Sequence, residues 1–158
     1  MHPRSEEFLE RATEAYDVSI EVHEFPEGTK TAEDAAEAVG CDVAAIASAI
    51  VVDADGRLVV VVTSGANRVD MAAVADLLGV DPDATGMAAA DDIDETLGWS
   101  IGGVPPFCHD TPVPVYIDET LLEFDEVWAA AGTPEAVFPI DPRRLRELSG
   151  GEVAAVAE

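Results

Sequence analysis

Ile50-Val51-Val52-Asp53-Ala54-Asp55-Gly56-Arg57-Leu58-Val59-Val60-Val61-Val62-Thr63-Ser64-Gly65-Ala66-Asn67 is the stretch whose reading decides the fold. Asp-Gly accepts the positive φ of a tight hairpin, so Asp53-Ala54-Asp55-Gly56 joins two antiparallel strands. The returning run from Leu58 to Val62 is apolar at every position rather than at alternate ones. That pattern predicts a central strand buried on both faces. Thr63-Ser64-Gly65-Ala66-Asn67 is then a polar loop at the strand's end.

Helices flank this hairpin. Downstream, Asp70 caps a helix from Met71 to Leu78, which Gly79 closes, and an acidic helix covers Asp91 to Leu97. Strands follow around Val113 to Ile117 and after Phe124, with a last helix after Pro142. Upstream, Asp42 starts a short helix that runs into the Ile50 strand. Thr31 with Asp34 reads as a capping box for an Ala-rich helix that stops at Gly40. Val18, Ile20 and Val22 alternate with polar residues as a half-buried strand, and Ser5 caps a first helix carrying Phe8, Leu9 and Ala12. Helices and strands mix in one domain with antiparallel hairpins, so the class is mixed α/β or α+β.

The chain has 158 residues, of which 48% are apolar, enough for one domain with a buried core and no need of staples. Asp and Glu number 33 against 8 Lys and Arg, a net charge of −25. That excludes a basic nucleic-acid module of the usual kind and a surface for anionic lipid, so neither DNA nor a membrane is an expected partner. The carboxylates are interleaved with Val, Ile, Leu and Ala, which argues against disorder. Lys30 is the single lysine among the eight cations. A carboxylate-rich, lysine-poor surface stays hydrated in concentrated salt, where the Debye length falls to roughly 3 Å at 1 M. A salt-rich cytoplasm is the expected setting. No basic segment followed by an apolar run opens the chain, and no apolar stretch approaches the ~20 residues of a membrane span. Cys41 and Cys108 make no disulfide framework, and with His23 and His109 they lack zinc spacing, so neither metal nor cofactor is expected.

The chemistry is concentrated in Gly98-Trp99-Ser100-Ile101-Gly102-Gly103-Val104-Pro105-Pro106-Phe107-Cys108-His109. Paired glycines let the backbone approach another molecule and turn two successive N–H groups toward a carbonyl oxygen, an oxyanion or a phosphate. The prolines that follow stiffen the loop, so such donors are placed in advance. A connecting Gly-Pro turn with no chemistry is the plain alternative. Trp99 and Trp128 read as core residues.

Gly102-Gly103-Val104-Pro105-Pro106 resembles the glycine-proline signature of the YbaK-type aminoacyl-tRNA deacylases, the editing domains associated with prolyl-tRNA synthetase. Thr31 to Cys41 is similar to that family's early helix, and Thr63-Ser64-Gly65-Ala66-Asn67-Arg68-Val69-Asp70 to its central strand-to-helix loop. Tyr116-Ile117-Asp118-Glu119, Trp128 to Gly132 and Leu145 to Gly151 also fit, in the expected order. The resemblance covers residues 25–157, leaving residues 1–24 as an N-terminal helix and strand of the same single domain.

The resemblance implies a central, largely antiparallel curved sheet flanked by helices, and hydrolysis of the ester joining a wrong amino acid to the tRNA 3′ end. With no synthetase-like segment present, the expected form is free-standing and acts in trans on a small residue such as Ala or Cys, charged to tRNA(Pro). Prolyl-tRNA synthetase is a further candidate partner. The amides of Gly102 and Gly103 are the expected oxyanion donors. Thr63, Ser64, Gly65, Asn67 and Arg68, with Pro105, Cys108, His109 and Asp118, are the expected substrate-binding set. Thr63, Ser64 and Asn67 would hold ribose or the aminoacyl amine, Asp118 would fix the Gly-Gly loop, and His109 would orient water or stack on the terminal adenine. Arg143, Arg144 and Arg146 would meet tRNA phosphates.

Two positions depart from the family. Ser48, in Ile46-Ala47-Ser48-Ala49-Ile50, joins Gly102 and Gly103 in the expected catalytic set but stands where the family carries a lysine, and a serine offers a hydrogen bond but no charge. Cys108 stands where the family has glycine, which would narrow the pocket mouth or alter the loop's dihedrals. The missing lysine supports a rival expectation, a non-catalytic relative that binds aminoacyl-tRNA ends or a protein. The salt reading is tested by a refolding titration in KCl: stability rises with salt, and a flat or falling curve would contradict it.

Overall fold

The structure, a computed structural model, describes residues 1–25 and 31–157. In chain order its elements are α1 (Pro3–Tyr16), β1 (His23–Glu24), α2 (Ala32–Val39), β2 (Ile46–Ala54), β3 (Arg57–Ser64), α3 (Met71–Leu78), β4 (Thr85–Met87), α4 (Ala90–Leu97), β5 (Val115–Asp118), β6 (Val127–Ala130), β7 (Ala136–Ile140), α5 (Pro142–Ser149) and β8 (Glu152–Ala154). One mixed sheet runs β1-β7-β6-β2-β3-β5-β8, with β4 also paired to β2. The β1/β7, β6/β7, β2/β3 and β2/β4 pairings are antiparallel, and β2/β6, β3/β5 and β5/β8 are parallel. Among the described residues no helix is long and apolar enough to cross a membrane.

The hairpin closes as the sequence predicts. Asp55 and Gly56 take φ of 52° and 88°, the two positive values of a type I′ turn, and the Gly56 N–H donates to Asp53 Oδ1 at 2.9 Å. β2 is longer than expected and starts at Ile46, because the Asp42 segment makes only a single 3₁₀ turn over Val43–Ala45. β3 is central. Val60 and Val62 pack into the main core with Phe8, Trp99 and Phe138, whereas Val59 and Val61 pack on the opposite face with Val52, Val74 and Tyr116. Each valine so buried contributes about 1.5 kcal/mol or more.

Two N-terminal expectations are corrected. α1 begins at Pro3, a good first helical residue, and its cap is His2, whose Nδ1 accepts the Arg4 N–H at 3.0 Å. Ser5 is not the cap and is wholly buried in the first turn. Residues 18–22 form no strand. Their alternation is real as burial, since Val18, Ile20 and Val22 pack on the core. Ladder pairing starts only at His23 and Glu24, opposite Val137 and Ala136.

α1 clamps the loop after α4. Phe8 lies 5.1 Å from Phe138 and meets Trp99 edge-on at 6.2 Å, between ring centroids. The Arg4 and Arg11 guanidinium groups stand 4.3 and 5.2 Å from the centre of the Trp99 ring, and Arg11 pairs with Asp110 at 3.0 Å. Trp99 is fully buried, as expected, and its Nε1–H donates to the Cys108 carbonyl at 2.9 Å. Cys108 adopts φ of 65°, a left-handed backbone that suits glycine and costs another residue roughly 1–2 kcal/mol. The cysteine thus keeps a glycine-like conformation. Its side chain joins the main core and lines neither hollow described below, so it does not narrow a pocket mouth.

Burial pushes the Cys108 thiol up to about 11, so about one molecule in a thousand carries the thiolate at pH 8. Iodoacetamide at pH 8 is expected to alkylate half-buried Cys41 in the native protein and to spare Cys108 until the chain is unfolded. Peptide mapping reads this directly, and equal native labelling of both would contradict the packing.

Candidate functional site

The two glycines of the central motif have different structural reasons. Residues 100–103 form a turn in which the Gly103 N–H donates to the Ser100 carbonyl at 3.0 Å, with Gly102 at φ 87°. That is a type II turn, whose third position demands the positive φ that glycine accepts. Gly103 is required by close approach, since a Cβ there would lie 2.7 Å from the Thr133 Cα. The expectation of paired donors is therefore corrected: the Gly103 amide is spent inside the turn. The Gly102 N–H makes no hydrogen bond among the described residues, and Gly102 lines a cavity.

That cavity is an apolar hollow of about 220 Å³ between β2, β6, the Gly102 turn and the Thr133-Pro134 segment. Its walls include Ile46, Val104, Trp128, Ala130 and Val137. A second hollow of about 310 Å³ lies beyond Ser48, lined by Thr63, Ser64, Gly65, Asn67 and Arg68. Ala32, Ser48, Ile50 and Met87 border both. Ser48 and Thr63 are cross-strand partners, so their hydroxyls stand side by side on the same face of the hairpin. Neither hydroxyl has a hydrogen-bond partner among the described residues.

The loop after β3 is held by a buried carboxylate. Asp118, 2% exposed, accepts from the Ser64 N–H at 3.0 Å and Asn67 Nδ2 at 2.9 Å on one oxygen, and from the Thr120 N–H at 3.0 Å on the other. Asn67 Nδ2 also reaches Thr120 Oγ1 at 3.1 Å. The Ser64 hydroxyl donates to the Ala44 carbonyl at 2.7 Å, and the Gly65 N–H to the Ile46 carbonyl at 2.8 Å. A Cβ on Gly65 would fall 2.5 Å from the Val43 carbonyl oxygen. Asp118 thus fixes this loop and not the Gly-Gly turn. Ser64, Gly65 and Asn67 use their polar groups to shape it, which leaves Thr63, buried at the wall of the second hollow, and exposed Arg68. Arg68 makes no ion pair among the described residues.

The remaining expectations divide. His109 Nε2 lies 2.8 Å from the Pro105 carbonyl oxygen, and burial holds its pKa below the ordinary histidine value, so a neutral ring donating from Nε2 locks residues 105–109. Neither His109 nor Pro105 lines either of these two hollows. Arg143 pairs with Asp141 at 3.2 Å and Asp125 at 4.0 Å, and Arg144 with Glu147 at 3.2 Å. Arg143, Arg144 and Arg146 lie on α5 and border neither hollow. Lys30 lies outside the described residues.

The sequence reading missed Trp128, expected in the core. It is half-buried on the face of β6 that Ala130 shares, meeting His23 edge-on at 5.1 Å. It also missed the exposed apolar rim of Met87 and Ile101, 60% and 54% accessible. Ile101 carried a signal, since an apolar residue in a tight turn has nowhere to hide.

Comparison with known proteins bears on the family and the fold. A solved structure of a proposed trans-editing enzyme for prolyl tRNA synthetase superposes with a TM-score of 0.93 at 36% identity, covering 100% of this chain and 99% of that one. The crystal structure of hypothetical protein APE2540 matches with a TM-score of 0.85 at 26% identity, over 96% of this chain and 99% of the other. YwhH of Bacillus subtilis (strain 168), an uncharacterized protein, is 29% identical over 136 residues, 84% of this chain and 83% of its own length. The sequence profile of the aminoacyl-tRNA editing domain matches residues 26–148, and the chain therefore belongs to the aminoacyl-tRNA editing family.

Proposed function

We propose that the protein is a deacylase that acts in trans on tRNA mischarged with a small amino acid such as Ala or Cys, with tRNA(Pro) the first candidate. The observation that carries this is the junction of the two hollows. An apolar chamber of about 220 Å³, walled by a glycine with an unspent N–H, meets a second hollow across the Ser48–Thr63 pair, one that Thr63, Asn67 and Arg68 border. The chamber suits a compact side chain, and the Ser48 and Thr63 hydroxyls at the second hollow suit a ribose, with Arg68 at hand for the adjoining phosphate.

The chemistry asks little of side chains. Water adds to the ester carbonyl carbon, the bond from that carbon to the ribose oxygen breaks, and the water's proton ends on the ribose hydroxyl. An ester this activated needs a positioned water and a donor to the tetrahedral oxyanion, here the Gly102 N–H. The relative described as a trans-editing enzyme supports action on a tRNA that another protein has charged. A carboxylate-rich surface operating in concentrated salt would leave affinity to these pockets, because phosphate contacts weaken as salt rises.

Ser48 favours one second reading. Without a lysine beside the junction, the site would bind charged tRNA ends without cleaving them. Release of amino acid from a panel of mischarged tRNAs in concentrated KCl separates the two. Turnover above the buffer rate is expected with the small residues. Ala130→Phe, which fills the apolar chamber from β6, lowers kcat/KM by about tenfold or more. Absence of turnover across the panel would remove the enzymatic claim. Binding without release, converted to release by Ser48→Lys, would establish the second reading.

A further inference from the structure

The two edges of β2 are paired unequally. β3 pairs every residue from Ala47 to Ala54 on the inner edge. On the outer edge β6 takes only Ile46 and Ala47, and β4 only Val52 to Ala54. The outer ladder is broken between them.

The break leaves both main-chain groups of Ala49 without a partner among the described residues and, beside it, the Val51 N–H. Alternate residues of a strand send both their N–H and C=O to the same edge. The Ile46 carbonyl accepts from Gly65, at the end of β3, so even-numbered residues face inward. The Val51 carbonyl accepts from Ala88 N–H at 3.1 Å, just past β4, so odd-numbered residues face outward. Ala49 therefore turns both main-chain groups into the break, and neither finds a partner among the described residues. Ala47, Ser48, Ala49, Ile50 and Val51 all line the apolar hollow. Five consecutive residues can do so only if the cavity meets the strand edge-on, because side chains alternate between faces.

We infer that the aminoacyl group of the substrate fills this break as a strand of one residue. Its α-ammonium donates to the Ala49 carbonyl, and its ester carbonyl oxygen accepts the Ala49 N–H. These are the reciprocal bonds that a residue exchanges with a hydrogen-bonded partner in an antiparallel ladder. Ala49 is the one outward-facing residue of β2 with both main-chain groups unpaired among the described residues, so the break offers a full ladder pair to one amino acid only. The Ala49 N–H thereby becomes the second donor to the oxygen on which charge develops, the place that the Gly103 amide does not fill. Recognition of the amino acid is by main chain, indifferent to the lysine that Ser48 replaces. The inference rests on the deacylase reading.

The test uses a non-hydrolysable probe, adenosine carrying alanine through a 3′-amide, titrated into the full chain while backbone amide resonances are followed. The Ala49 amide is expected to shift, and the des-amino probe (propionyl in place of alanyl) to bind about tenfold or more weaker. Ala49→Pro removes an N–H that pairs with no strand, so the variant keeps its melting transition while kcat/KM for mischarged tRNA falls by about tenfold or more. An Ala49 amide that does not move, or equal binding of the two probes, would overturn the inference even if Ala49→Pro fails to fold. Wild-type turnover that Ala49→Pro leaves intact would also overturn it, with the deacylase reading still standing. A shift at Ala49 with no wild-type turnover would sustain main-chain recognition while removing the deacylase reading.

Discussion

Buried main-chain N–H and C=O groups must be hydrogen-bonded, and the whole molecule follows from how β3 meets that demand. Val59 to Val62 are buried on both faces, so every polar group of that strand has to be satisfied within the sheet. β2 supplies one edge along its full length and β5 part of the other. With β3 settled, the sheet grows outward from β2, and there the partners are short. β6 and β4 arrive from opposite ends and stop short of each other. A main-chain group left unpaired in an apolar setting costs about 1–3 kcal/mol, a cost that water or a ligand reaching the break offsets. Ala49 is half-buried, at the wall of the hollow. The proposed site lies where the ladder runs out.

A second consequence follows at the end of β3. The strand leaves the core at Thr63 and Ser64, and its next residues would present loose polar groups to an apolar interior. Asp118, at the end of parallel β5, takes up the Ser64 and Asn67 donors, and Ala44 and Ile46 accept from Ser64 and Gly65. Residues that look like ligands by type are consumed in giving the loop its shape. What remains for a substrate is what this network does not need: the Thr63 hydroxyl, Arg68, and Ser48 across the hairpin.

Local chemistry was legible in the sequence and remote pairing was not. The Asp55-Gly56 turn, the Thr31 cap on Asp34 and the Asp70 cap on Ala72 and Ala73 are set by residues within a few positions, and all are present. The double-sided burial of β3 was legible because four successive valines have no exposed face. At Gly102-Gly103 the pattern announces a special backbone but cannot say which amide the turn consumes. That depends on Ser100 and on the approach of Thr133, thirty positions away. His109 and Asp118 are polar residues near the motifs, and only the fold reveals that each is occupied in holding a loop. The break at Ala49 was invisible for the same reason, since β6 lies about eighty residues downstream and nothing in Ile46 to Val51 records where its pairing ends.

The charge of −25 then bears on what kind of recognition is open to this chain. Long-range attraction to a polyanion is unavailable at low ionic strength. At high ionic strength attraction and repulsion are both screened within a few ångström. Two of the three α5 arginines are already paired with neighbouring carboxylates, which leaves Arg68 as the cation at the site's border. On the deacylase reading, contacts that do not depend on net charge carry the specificity: a shaped apolar chamber, two adjacent hydroxyls, and main-chain donors and acceptors fixed by the sheet. Those groups are rigid, and the protein does not have to reorganise them as an oxyanion forms. They also act over hydrogen-bond distances, where salt screens little. A family site that ordinarily includes a lysine can on this account lose the charge and keep its geometry, because the geometry is built from the backbone of β2 and the Gly102 turn rather than from side-chain charge.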